Sequence, residues 1–124
     1  MCNIKLITIT DVTSSTGKVI GRQYIDSEIK FDRPESLNDA IECFFNELNK
    51  HVSDKSAVIL YRSQVKRLAD SLSDLDVSSK DIFTLLRKKL REKYQLERTR
   101  FNPRTMEFQG LEKAFIVRKF WYED

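Results

Sequence analysis

Two stretches near the start of the chain are dense in β-branched and aromatic residues, Ile4 to Val12 and Val19 to Phe31. Ser14-Ser15-Thr16-Gly17 punctuates between them, which is the signature of a β-hairpin. In the second stretch Ile25, Ser27, Ile29 and Phe31 alternate with Tyr24, Asp26, Glu28 and Lys30. A period of two puts the first set toward a core and the second toward water. The first stretch alternates less cleanly, with Ile4 and Leu6 on one face and Ile7 and Ile9 on the other. That pattern predicts a strand covered on both sides, by a helix or by a second subunit.

After Asp32-Arg33-Pro34-Glu35 the period changes to that of a helix. Leu37, Ile41, Phe44, Leu48 and Val52 recur at helical spacing behind Ser36, a suitable N-cap. Ala57 to Tyr61 reads equally as a short buried strand, with Ser63 capping a new helix, or as part of one long helix through Leu72. The polar turn Ser73 to Ser78 precedes a helix over 79–95, with the stripe Ile82, Phe83, Leu86, Leu90 and Tyr94. Opposite that stripe the wheel places Lys80, Thr84, Arg87, Lys88 and Arg91. Lys89 and Lys93 fall inside the apolar arc, so they must snorkel. Residues 98–101 and 106–108 read as one extended segment bent at Asn102-Pro103, and 114–122 as a second strand, largely apolar on both faces. The predicted class is α+β: an N-terminal hairpin over 1–32, then three helices and a C-terminal hairpin over 36–122, in a single domain.

Charge changes this picture more than composition does. The chain of 124 residues is 33% charged and 40% hydrophobic, with three Gly and two Pro, a profile that favours a folded domain over disorder. Residues 87–104 hold eight Lys/Arg against two Asp/Glu, whereas residues 1–86 hold 11 against 13. The positive excess is therefore a local block, and a block of this kind attracts phosphate or an acidic protein surface, or is simply a solvated face. The longest purely apolar run, Ala57–Tyr61, is far shorter than the ~20 residues of a membrane span. Met1 to Asp11 has no signal-peptide pattern, so the cytoplasm is the expected compartment and no membrane partner is expected.

The helix, turn, basic helix and strand pair of residues 36–122 resemble a winged helix-turn-helix domain. The residues that carry the resemblance are 65–72 (Val-Lys-Arg-Leu-Ala-Asp-Ser-Leu), Val77-Ser78-Ser79, Ile82-Phe83 and Leu86 to Leu90. The turn Ser73-Asp74-Leu75-Asp76 departs from the family by being longer and lacking glycine. The resemblance implies a DNA-binding regulator whose basic helix lies in a major groove. Ser79, Lys80, Thr84, Arg87, Lys88 and Arg91 would then contact bases or phosphates, with Arg98, Arg100 and Arg104 in the wing on the backbone. A homodimer is expected on that basis, and Phe120, Trp121 and Tyr122 or the hairpin edge are the candidate contacts. The alternative is a phage-type or immunity-type inhibitor that docks on one protein, with aromatic residues as anchors.

Other chemistry has weaker support in the residues. Asp11 with Glu28-Ile29-Lys30 matches the carboxylate and E-x-K pattern of metal-dependent nucleases, which arises easily in a charged chain. Ser14 to Lys18 lacks the first glycine and the hydroxyl residue of a phosphate-binding loop. Cys2, Cys43 and the lone His51 do not make a zinc quartet. The expectation is a non-enzymatic protein without metal or cofactor.

Overall fold

In the computed structural model, which describes residues 2–119, the hairpin pattern becomes β1 (Cys2–Thr13) and β2 (Val19–Phe31). Between them Gly17 takes a positive φ of 83°, and the Ser14 amide donates to the Lys18 carbonyl. There follow α1 (Leu37–Asn49), β3 (Ser56–Tyr61), α2 (Arg62–Leu72), α3 (Ser79–Lys93), β4 (Gln95–Asn102), β5 (Glu107–Phe108) and β6 (Glu112–Arg118). The class is α+β. All six strands join one antiparallel sheet in the order β2-β1-β3-β6-β4-β5. β3 is what unites the two hairpins: it pairs with β1 (Leu6 opposite Leu60) and with β6 (Leu60 opposite Phe115).

Residues 57–61 are thus a strand, and the helix after them starts at Arg62, not behind a Ser63 cap. Its N-cap is Tyr61, which makes no side-chain cap bond. Ser36 and Ser78 do cap α1 and α3, accepting from the amides of Asp39 and Asp81. Residues 98–108 do not form one bent segment. β4 and β5 fold back on each other with Phe101 opposite Phe108, through a turn in which the Met106 amide donates to the Asn102 carbonyl. Met106 and Gln109 adopt positive φ there, and Gly110 lies so close to Asn102 that a Cβ would sit 2.3 Å from its amide nitrogen.

The helices pack on one face of the sheet. Ile4, Leu6, Ile29, Val58, Leu60 and Val117 meet Phe44 and Leu48 of α1, Leu68 and Leu72 of α2, and Ile82, Leu86 and Leu90 of α3. The other face carries a second, smaller core of Ile7, Ile9, Ile59, Tyr61, Phe101 and Ala114, with Tyr24 and Phe108 packed against it. Tyr24 on β2 and Phe101 on β4 have ring centroids 6.0 Å apart, although three strands separate them in the sheet. A flat sheet would hold those strands about 19 Å apart, so this one is strongly curled. That curl explains the two-faced apolar pattern of residues 4–9: helices cover one side and the folded-over end of the same sheet covers the other.

Tyr61 shows what the second core costs. Its side chain is buried, its hydroxyl has no hydrogen-bond partner, and its pKa is pushed up to about 12, mainly by burial and then by Glu112 and Asp26. The folded phenol therefore stays protonated where the unfolded one, near 10, ionises. Its contribution is intact below pH ~10 and is lost as pH rises toward ~12. Tyr61→Phe should melt no lower than the parent at neutral pH and should lose less stability between pH 9 and 11. Urea denaturation of both proteins at the two pH values checks this.

Candidate functional site

β4 alternates Leu96, Arg98 and Arg100 on the helix side of the sheet. Its register with β6 sets Leu96 opposite Val117, Arg98 opposite Phe115 and Arg100 opposite Lys113. Leu96 packs on the helical core, so the same face of the strand passes from apolar to cationic along its length. Arg62, the first residue of α2, and Arg87 of α3 approach from above. Both reach the ring of Phe83, with the Arg62 guanidinium 5.6 Å and the Arg87 guanidinium 5.8 Å from its centroid. Cation–π contact holds both guanidinium groups in place without neutralising either.

The result is a cleft of about 610 Å³ lined by Arg62, Arg87, Arg98, Thr99, Arg100, Gln109, Lys113, Ala114 and Phe115. Five of these side chains are cationic and none is a carboxylate. Arg87 is half-buried, and its Nε is enclosed without a hydrogen-bond partner. Burial lowers its pKa from the ordinary arginine value, with Arg91, Arg98 and Arg62 adding to the effect. Buried polar groups in folded proteins are nearly always paired. The enclosed Nε is out of a ligand's reach, but the like charges around Arg87 favour an anion with several acceptor oxygens, for which arginine's planar fork is well shaped. The uncapped N-terminus of α2 begins at the same wall through Arg62 and adds the positive end of its dipole.

The residues read from the sequence divide into two groups. Arg87, Arg98 and Arg100 converge in the cleft. Lys80, Thr84, Lys88 and Arg91 are exposed on the outer side of α3. Arg87 is not opposite the apolar stripe with them. It follows Phe83 by four residues, lies one turn along the same flank, and turns back over that ring. The two hydroxyls are already engaged, since Ser79 Oγ donates to Asp70 Oδ1 and Thr84 Oγ1 to the Lys80 carbonyl. Arg104 is exposed in the β4–β5 turn and does not line the cleft. Phe120, Trp121 and Tyr122 lie outside the described residues. Arg62 and Lys113 join the site without having been singled out. Lys113 had a signal, being two residues before Phe115 on the same strand face. Lys93 snorkels along α1, its Nζ 5.2 Å from the Phe45 ring centroid.

The carboxylates of the nuclease pattern do not converge. Asp11 sits opposite Arg22, and Glu28 opposite Lys5, six residues further along β1 or about 20 Å. Glu28 and Lys30 pair with each other at 3.3 Å, and Asp11 with Arg22 at 3.7 Å. Among the described residues no three His, Cys, Asp or Glu side chains are placed to hold a metal ion. No helix there is long and apolar enough to cross a membrane. Comparison of the chain with protein-family models, with curated proteins and with solved structures finds no match.

Proposed function

We propose that the protein is a non-enzymatic nucleic-acid-binding protein that holds a phosphate backbone in the cleft between α2, α3 and β4–β6. The observation that carries this reading is the convergence of five cationic side chains on one concave surface that contains no carboxylate. Assembling them costs like-charge repulsion, which an occupant bearing several negative charges offsets. Lys88 and Arg91, exposed on the adjoining helix, extend the same field outward.

The test is a fluorescence-anisotropy titration with labelled oligonucleotides over a range of salt. Binding should be clear at low salt and weaken steeply as salt rises, because each phosphate contact releases a counterion. No binding at low salt would remove the nucleic-acid reading and turn attention to an acidic protein surface as the occupant.

A further inference from the structure

We infer that the nucleic acid held in this cleft is single-stranded and is gripped by its backbone without regard to sequence. The inference rests on the nucleic-acid reading above and concerns the form of the ligand. The cleft is concave, and its roughly 610 Å³ falls within the usual 300–1,000 Å³ of small-ligand pockets. Its cations stand on separate walls, Arg62 and Arg87 on helices and Arg98, Arg100 and Lys113 on the sheet. A single strand can enter such a space and turn successive phosphates toward opposite walls. A duplex carries its phosphates on the outside of a convex rod and cannot turn successive ones toward facing walls of one cleft.

The end of α3 that would lead into a duplex groove argues the same way. In helix-turn-helix docking the N-terminal residues of the second helix meet the base edges. Here that end carries Asp70, Asp74, Asp76 and Asp81, all exposed, against Lys80 in the first turn and Arg33 near Asp74. Asp74 accepts hydrogen bonds from the amides of Asp76 and Val77 at 2.8 and 2.9 Å, which keeps its carboxylate ionised. Four carboxylates against two cations leave this end net negative, which disfavours phosphate, and the engaged hydroxyls of Ser79 and Thr84 leave little there to read a base edge. Base stacking inside the cleft is also poorly served. Phe83 is contacted by two guanidinium groups and Phe115 is only 4% exposed. Single-strand binding without an open aromatic platform depends on the backbone, hence the indifference to sequence.

A competition titration distinguishes the possibilities. The probes are labelled oligo-dT and oligo-U, each against a hairpin duplex with the same number of phosphates, at one salt concentration. The single strands should bind about tenfold or more tightly than the duplexes, the difference expected from one or two charge-assisted hydrogen bonds. Oligo-dA and oligo-dT should differ only a few-fold. Arg87→Lys keeps the charge but removes the planar guanidinium fork and should shrink the preference for single strands while leaving the melting temperature near that of the parent. Duplex binding equal to or tighter than single-strand binding would overturn the inference and leave the nucleic-acid reading standing. Absence of binding to every probe would overturn both.

Discussion

Replacing Arg87 and Arg98 together by Ala should weaken oligonucleotide binding by at least about 100-fold at low salt. Each hydrogen bond to a charged group is worth roughly 1.5–3 kcal/mol, and 1.4 kcal/mol is a factor of ten. Both guanidinium groups line the cleft, and neither makes an ion pair among the described residues. Their removal therefore breaks no charge pair in the fold. It relieves crowding with Arg62 and Arg91 around Arg87, so the melting temperature should change little or rise. That combination, binding lost and stability kept, separates a binding surface from a structural one. Wild-type affinity in the double variant would mean that the cleft is not where nucleic acid sits. Lys80→Ala and Arg104→Ala are matched controls, since each removes one positive charge outside the cleft and should cost only a small part of that loss.

Phe101→Ala should be the most damaging single change to the fold. Phe101 is fully buried on the sheet face away from the helices, where its ring meets Phe108 at 5.2 Å and Tyr24 at 6.0 Å. Truncating a buried Phe costs about 3–5 kcal/mol. For a chain of this size that corresponds to a fall in melting temperature of roughly 10–20 °C. The loss should reach the binding site too, because Phe101 adjoins Arg100 and anchors the strand that carries Arg98. Leu111, which is 80% exposed, is the natural comparison, and its replacement by Ala should shift stability by no more than about 0.5 kcal/mol. Thermal melts of the two variants followed by circular dichroism check the difference. Similar melting temperatures would mean that the second core does not hold the sheet in its curl.

How far these features could be read from the residues depends on how locally each is determined. The β1–β2 hairpin and α1 are legible because their apolar periods are clean and because Gly17 and Ser36 mark a turn and a cap. β3 is ambiguous because Val58, Ile59, Leu60 and Tyr61 are all buried, which erases the alternation that separates strand from helix. Partners distant in sequence cover each face of it, and a local pattern cannot supply them. β4 is hidden for the opposite reason. Most of its residues are exposed or half-exposed, since its helix-side face opens into the cleft beyond Leu96. The charge block of residues 87–104 contains Arg87, Arg98 and Arg100, the three of its residues that line the cleft. It does not separate them from Lys88 and Arg91, because that distinction depends on Arg87 turning over Phe83 and on the pairing of β4 with β6. Arg62 and Lys113 enter only through the same pairing and through the start of α2 at the end of β3.

The most direct measurement of the central claim is the dependence of affinity on salt for the parent protein and for the Arg87→Ala/Arg98→Ala variant, measured side by side on one single-stranded oligonucleotide. Single strands contribute a slope of about −0.7 in log K against log salt for each phosphate contact. A cleft in which all five cations engage phosphate predicts a slope near −3.5 for the parent, and one shallower by about 1.4 for the variant. Equal slopes in the two proteins, or a parent slope near zero, would contradict it.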